Sequence, residues 1–371
     1  MILTLTLNPA IDLTYTLPAI TLGASHRVPE PLQRAGGKGV NVARVLAEQG
    51  QEAMVLAPVG GPTGEQFRTD LDAAGLPHRL IDVTAPTRRT ITLVTDENAT
   101  ALNEAGTTPS AAELNDLRGT LASALSRATV LVCSGSVPAG SPPDLIPQVV
   151  AMAKDTGVPV IVDTSGPPLL AAADAGADVL KPNADELAQA AAGAFAGSGP
   201  AAPAAGPDAE SDDDETAAAV SADPEKADAE RDDPERDDVG PAQRQPGSAG
   251  SPEAAVRAAR GLAARSGGVV FASLGADGMV AVGQSGPVWH ARLPAPLQGN
   301  PTGAGDAAVA AIALCLSRHS AAVLDAEPNT LRQTLHTATG WSAAAVLTPN
   351  AGSIADPDPL LDQVILTQVQ T

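Results

Sequence analysis

Gly303-Ala304-Gly305-Asp306 opens the alanine-rich apolar run Ala307 to Leu316, and this junction of a glycine turn with a helix decides how the chain is read. Pro294, Pro296, Gly299 and Pro301 precede it, so the lead-in is a poor strand and no helix. A glycine-rich turn at a helix start points several backbone N–H groups outward, and the helix dipole adds partial positive charge there. Such a turn suits a phosphate group. Asp306 within it would repel a resting phosphate, so its carboxylate needs a separate reason. A base that takes a proton from an acceptor hydroxyl, beside donors that steady a phosphoryl group in flight, supplies one. Two other readings fit the same residues. One is an ordinary helix N-terminus with an acidic first turn. The other is a dinucleotide fingerprint, since Gly303-x-Gly305-x-x-Ala308 matches G-x-G-x-x-G/A, although that pattern should follow a strand directly.

Working outward, the chain alternates short apolar strands with helices. Ile2 to Leu7 reads as a strand, Val40 to Gln49 as a helix, Ala53 to Ala57 as a strand, and Glu65 to Ala74 as a helix ended by Gly75. Thr90 to Thr95 and Thr100 to Asn103, joined by Asp96-Glu97-Asn98, form a polar hairpin expected outside the main core. The middle repeats one unit: strands Thr129 to Cys133, Val158 to Val162 and Ala177 to Leu180, with helices at Pro142 to Ala153, Leu169 to Ala173 and Ala184 to Ala192. This alternation predicts an α/β class with a parallel sheet and helices on both faces. After a gap, a helix at Pro252 to Arg265, a strand at Val269 to Ser273 and a meander from Met279 to Arg292 lead to the opening junction. A long helix, Thr330 to Ala345, follows.

The gap itself, residues 194–251, consists almost wholly of Ala, Pro, Gly, Ser, Asp and Glu. Asp208 to Arg244 holds fifteen acidic and four basic residues and so supplies about −11 of the formal net charge of −21. Such a stretch cannot bury enough apolar area to offset its ordering entropy, and a disordered acidic insertion is expected. The charge argues against nucleic acid or an anionic membrane as partner. Hydrophobic residues make up 44% of the 371, but only six are aromatic, so the core must be built from Ala, Val, Leu and Ile. Cys133 and Cys315 lie in apolar runs with no metal-ligand spacing and read as buried thiols. With no signal-like segment and no membrane-length apolar run, a cytosolic, soluble protein is expected.

In so acidic a chain, cations beside glycine turns carry weight. Gly36-Gly37-Lys38-Gly39-Val40-Asn41 is a second glycine turn opening a helix, without Walker spacing through Lys38. It offers backbone donors, one cation and one amide, which suits a phosphorylated polyol. Arg27 lies upstream and Arg88-Arg89 begins the hairpin, giving cations for an anion cradle. Asp12, in Asn8-Pro9-Ala10-Ile11-Asp12, follows the first strand, at the sheet edge where open α/β sheets bind ligands. Ser136 in Ser134-Gly135-Ser136 adds a hydroxyl at that edge. In Lys181-Pro182-Asn183 with Glu186, the amide and carboxylate share a helical face at i, i+3 and can hold the water shell of Mg²⁺. Ser273-Leu274-Gly275-Ala276-Asp277-Gly278 is another strand-to-turn edge, suited to backbone contacts with nucleotide phosphates.

Taken in order, Asn8 to Asp12, Gly36 to Asn41, Thr87-Arg88, Ser134 to Pro138, Lys181 to Glu186, Ser273 to Gly278 and Gly303 to Asp306 closely resemble the PfkB, or ribokinase-like, sugar kinases. Within that group they resemble the 1-phosphofructokinase and tagatose-6-phosphate kinase branch. The resemblance implies a three-layer α/β/α sandwich with a small β-sheet lid. It places the kinase domain in 1–193 and 252–371, with lid segments at about 12–35 and 88–104. It implies ATP and Mg²⁺ as cofactors, a ketohexose phosphate, fructose 1-phosphate first, as acceptor, and a homodimer through the lid.

By the same resemblance, Asp306 is the base and the amides of Gly303, Ala304 and Gly305 form the anion hole. Asp12, Gly37 and Asn41 bind sugar hydroxyls, and Lys38, Arg88, Ser136 and Arg27 face the sugar's phosphate. Lys181, Asn183 and Glu186 serve the nucleotide and its magnesium, while Ser273, Gly275, Gly278 and Asn350 line the nucleotide site. One departure stands out. The family commonly writes Asp-Thr before the glycine turn, at a monovalent-cation site, and Asn300-Pro301-Thr302 has no carboxylate there, which leaves potassium dependence open.

Overall fold

The computed structural model describes residues 1–95, 99–193, 252–284 and 286–369. The Asp96 to Asn98 turn and the acidic insertion at 194–251 lie outside the described residues.

A ten-stranded sheet is built from β1 (Ile2–Leu5), β4 (Ala53–Val59), β5 (His78–Asp82), β8 (Val130–Ser134), β9 (Val160–Asp163), β10 (Val179–Leu180), β11 (Val269–Ser273), β12 (Met279–Val282), β13 (Val288–Arg292) and β14 (Ile365–Val369). Its order is β14-β13-β12-β11-β10-β9-β8-β1-β4-β5. The seven strands from β11 to β5 are parallel, and β12, β13 and β14 extend the sheet antiparallel. The expected meander is therefore β12–β13, with β14 as an unanticipated third strand.

Alternation along the strands sorts the core into two layers, because successive side chains point to opposite faces. Ile2, Val55, Val130, Val132, Ile161, Val269 and Phe271 face one cluster, built with α1 (Lys38–Glu48), α2 (Gly61–Ala73), α8 (Ala304–Arg318), α9 (Ala321–Ala326) and α10 (Pro328–Val346). Leu3, Leu5, Leu131, Val160, Val162 and Val270 face the other, with α3 (Ala111–Leu125), α4 (Leu145–Asp155), α5 (Pro167–Asp174), α6 (Ala184–Ala191) and α7 (Pro252–Ser266). This is the three-layer sandwich expected. A short α11 (Asp358–Leu361) packs under α10 through Leu360.

Helix α8 is buried almost all round, with seven consecutive buried residues from Ala307 to Ala313. A helix apolar on every side belongs in the core, and its alanines let it sit between α1 and α10.

A second sheet of four strands, β3-β2-β6-β7, comprises β2 (Ala10–Thr16), β3 (Leu32–Gly36), β6 (Arg88–Val94) and β7 (Ala99–Asn103). The hairpin read from sequence is its β6–β7 half. Strand β2 forms its centre, antiparallel to β3 and parallel to β6, which aligns Asp12 with Arg34 on one side and Thr90 on the other.

The connections from β1 run to β4 on one side, while the later strands from β8 onward lie on the other. A parallel sheet opens a crevice at such a switch point, at the carboxyl ends of its strands. The loop after β1, Gly135 and Ser136 after β8, Asp163 at the end of β9, Lys181 after β10 and Ser273 at the end of β11 all meet there.

Candidate active site

A cleft of about 800 Å³ lies at this sheet edge, beneath the lid. The turn at Gly303 forms part of its floor. Gly303 has φ 88°, and a β-carbon there would lie 2.8 Å from Ala351 Cα, so only glycine serves on both counts. Its conformation starts α8 without a side-chain cap and leaves first-turn donors unsatisfied. Gly303 and Gly305 line the cleft, and their N–H groups have no partner among the described residues. Ala304 differs from the expectation. Its N–H donates to Pro301 O at 3.2 Å, and it does not line the cleft.

Asp306, in the first turn of α8, is 6% exposed. Asn41 Nδ2 on α1 donates to its Oδ2 at 2.9 Å. Burial pushes the Asp306 carboxyl up. Lys38 pulls it down, Asp163 pushes it up, and Asn41 and Lys181 pull it down, leaving it at about 7. A carboxyl poised there is half ionised at neutral pH, which suits a general base. Asn41, expected to contact a sugar hydroxyl, is thus also the residue that holds Asp306.

Below Asp306 sits a group that the motifs passed over. Asp163 is 1% exposed and accepts from Ser134 Oγ at 2.9 Å on one oxygen. Its other oxygen meets Lys38 Nζ at 3.4 Å and Lys181 Nζ at 3.5 Å. Burial raises the Asp163 carboxyl, but Lys181, Lys38 and the Ser134 hydroxyl outweigh it and hold the group below its usual range. In return Asp163, against the opposing effect of burial, raises the Lys38 ammonium above its ordinary value and keeps it charged. Lys181 is buried beside the turn at Gly303, since a β-carbon on Gly305 would lie 3.4 Å from its Nζ. The sequence signal for Asp163 was only an acidic residue ending a buried strand.

The lid supplies the opposite wall. Burial raises the Asp12 carboxyl above its ordinary 3.8, against the Thr90 hydroxyl, Arg88, the Gly37 N–H and Arg34. Thr90 Oγ1 donates a short hydrogen bond to Asp12 Oδ1. Gly36 is the position that makes room, because a β-carbon there would lie 1.9 Å from Asp12 Oδ2. Arg88 lines the cleft and donates to Asn8 O (3.2 Å) and Glu104 O (2.9 Å). Burial lowers its guanidinium somewhat, with Asp12 and Glu104 opposing. Asn8 Nδ2 donates in turn to Ser136 Oγ and Ala105 O, both at 3.0 Å, tying the lid root to the sheet edge.

On the far side, Asn183 and Glu186 form a reciprocal capping box at the start of α6, with bonds of 2.8 and 2.9 Å. Both also line the cleft, with Ser273 and Asn350. Among the described residues no group of three or more His, Cys, Asp or Glu could hold a metal ion.

Four expected residues lie apart from this assembly. Ala304 has been described. Arg27 sits in a fully exposed stretch between β2 and β3 and does not line the cleft, whereas Arg34 on β3 does. Gly275 opens a 3₁₀ turn after β11 and Gly278 follows it, both outside the lining residues. Gly278 has a structural reason of its own: a β-carbon there would lie 2.0 Å from Ala291 O on β13.

The Asn300 lead-in is tied by its amide. Asn300 Nδ2 donates to Pro349 O at 2.9 Å and its Oδ1 accepts from Thr302 N at 3.0 Å. Both ends of the side chain are engaged.

Comparison with known proteins places these features in a lineage. The sequence model of the pfkB family carbohydrate kinases matches residues 5–203 and 239–358. Tagatose-6-phosphate kinases from two strains of Staphylococcus epidermidis are 34% identical over 191 residues. That match takes in 51% of this chain and 62% of theirs, so the chain spans less than two thirds of these relatives' length. Among solved structures, the tetrameric inhibited form of phosphofructokinase-2 from Escherichia coli superposes with a TM-score of 0.73 at 23% identity, covering 97% of this chain and 98% of that one. A possible 1-phosphofructokinase from Thermotoga maritima gives 0.72 at 20% identity, covering 100% and 99%.

Proposed function

Because the chain belongs to the pfkB family of carbohydrate kinases, we propose that it transfers the γ-phosphoryl group of ATP to a hydroxymethyl oxygen of a ketohexose phosphate, with residues 1–193 and 252–371 as the kinase unit. The observation that carries this reading is Asp306, buried, held by Asn41 and poised at about 7, in the turn whose Gly303 and Gly305 line the cleft. In the transfer, Asp306 takes the acceptor's hydroxyl proton. The acceptor oxygen bonds to the γ-phosphorus as the bond to the β–γ bridging oxygen breaks, and ADP leaves. Donors at Gly303 and Gly305, with Lys38 and Lys181, stabilise charge on the moving group. Asp12 orients the sugar, and the lid excludes water that would compete as acceptor.

Asn183 and Glu186 suit a magnesium ion held mainly by water and phosphate. Their capping bonds use one oxygen each, Asn183 Oδ1 and Glu186 Oε2, and leave Glu186 Oε1 without a partner among the described residues. Bound with the nucleotide, the ion would neutralise phosphate charge. Potassium fits less well at the Asn300 lead-in, whose amide is engaged at both ends and brings no negative charge.

Fructose 1-phosphate is the first acceptor to test. Tagatose 6-phosphate is second, on the strength of the relatives so named. A coupled ADP-release assay across these two, fructose 6-phosphate and free fructose tests the proposal. Turnover confined to phosphorylated ketohexoses supports it. Equal turnover of free fructose, or no turnover of any of the four by folded protein that binds ATP, refutes it.

A further inference from the structure

We infer that Arg34, on lid strand β3, is a further anion-binding residue of the cleft and receives the acceptor's phosphate together with Arg88. This rests on the reading of the cleft as a sugar-phosphate site.

Four cations line the cleft, Arg34, Lys38, Arg88 and Lys181, and they differ in how far they are already engaged. Lys38 and Lys181 share the Asp163 carboxylate. Arg88 donates through Nε and Nη1 to two backbone carbonyls. Arg34 makes one hydrogen bond, from Nη1 to Ala351 O at 3.3 Å, and its Nε and Nη2 have no partner among the described residues. It is the least committed cation of the four.

The strand register brings this guanidinium and that of Arg88 to bear on the same carboxylate, Asp12. Arg34 pairs with Asp12 across β2–β3, and Arg88 pairs with Ala10 across β2–β6, so two guanidiniums flank one carboxylate. That carboxylate is already bonded by Thr90 and the Gly37 N–H. Arg44 lies close enough to act on the same neighbourhood, but Asp70 pairs it. At the lid end of the cleft Arg34 and Arg88 face two carboxylates, Asp12 and Glu104, and both carboxylates are engaged by other donors, Glu104 by the Arg89 N–H, so Arg34 keeps donors for an incoming anion. An arginine with free, forked donors matches the oxygens of a phosphate better than a point charge does. Arg27, exposed and outside the cleft lining, has none of these relations.

The competing role is structural. Arg34 could serve only to brace the loop at Ala351, which packs on Gly303. Isothermal titration of the full chain with fructose 1-phosphate and, separately, with ADP distinguishes the two, using Arg34→Ala and Arg34→Lys with melting curves to confirm folding. The expected result is a loss of about tenfold or more in fructose 1-phosphate affinity for Arg34→Ala, as for one charge-assisted contact. ADP affinity should be unchanged, and Arg34→Lys should recover part of the loss. Equal weakening of both ligands, or of neither, overturns the inference.

If the wild-type chain binds no fructose 1-phosphate, the preferred acceptor fails first, and inorganic phosphate becomes the probe. A rise in melting temperature with phosphate in wild type but not in Arg34→Ala supports the assignment. An equal response in both, including none, overturns it.

Discussion

Replacing Asp306 by Asn should make the protein more stable and far less active, with a stability gain that grows from about pH 4 and is largest at neutral and alkaline pH. The side chain is 6% exposed and its carboxyl is raised from 3.8 to about 7. For a folded-state value above the unfolded one, the group's contribution is fully present below about pH 4, where both states are protonated. It is lost as pH rises through about 7. Ionising so shifted a group costs the folded state about 4 kcal/mol at pH 8 and above. Asparagine has nearly the same shape, keeps an oxygen for Asn41 Nδ2, and never ionises. The stability difference between variant and wild type should therefore be near zero at pH 4 and widen up to about pH 7. It then levels off at no more than about 4 kcal/mol. That figure is a ceiling, because Lys38 loses a favourable neighbour in the variant. Urea denaturation at pH 4.5, 6 and 8 reads the difference directly, and turnover should fall roughly 10²–10⁴-fold. A stability difference that is flat with pH would refute the placement of Asp306 near 7. Near-normal turnover by the folded variant would refute its role as base.

Two substitutions should move the acid limb of kcat/KM in opposite directions. Asn41→Ala removes a hydrogen bond that lowers Asp306, so the limb should shift to higher pH. Asp163→Asn removes a charge that raises Asp306, so the limb should shift to lower pH while kcat falls through loss of the anchor for Lys38 and Lys181. Steady-state pH profiles check both, and shifts of the same sign would contradict the electrostatics. Gly36→Ala places a methyl group 1.9 Å from Asp12 Oδ2 and should raise KM for the acceptor by roughly tenfold or more with nucleotide KM unchanged, as initial-rate kinetics would show. Replacing potassium by tetramethylammonium chloride at equal ionic strength should leave turnover unchanged, since the Asn300 amide already joins the lead-in to Pro349.

The elements legible in the sequence were those whose signal is local. Gly37 and Gly303 sit just before helices α1 and α8, at positive φ of 103° and 88°, and a glycine followed by an apolar helical run says as much without a structure. The buried parallel strands were equally readable as short runs of Val, Leu and Ile. Helix α3, outside the elements read from the sequence, carries local signals as well. Ser110 and Glu113 form a capping box, and Leu114, Leu117, Leu121 and Leu125 repeat along its buried face. Strands β2, β3 and β14 left weaker traces. Strand β14 lies at the sheet edge, with no residue fully buried, and β3 buries only its last two residues. Edge and lid strands are fixed by partners far away in the chain, so periodicity has little to register.

The candidate site divides along the same line, and the division explains why Arg27 stands out in the sequence and Arg34 does not. A motif records residues that neighbour one another in sequence, and Arg27 lies in an arginine-bearing stretch before a glycine turn. What makes Arg34 the better cation is its register against Asp12, set by a β2–β3 pairing. Its lack of other partners adds to this, and neither property is written within a few residues of it. Asp163 is the stronger case. Its meaning depends on Lys38, 125 positions away, and on Lys181, which the next strand returns to the same edge. A carboxylate buried at a strand end is unremarkable until two ammonium groups are seen on one of its oxygens. Only then does it become a group that anchors two cations beneath Asp306 and adds its own charge to the burial that raises the Asp306 carboxyl. The charge that adds to burial at Asp306 is thus outside the motif. It reaches Asp306 through space, and the glycine turn alone could therefore suggest a phosphate site but not how its carboxyl would titrate.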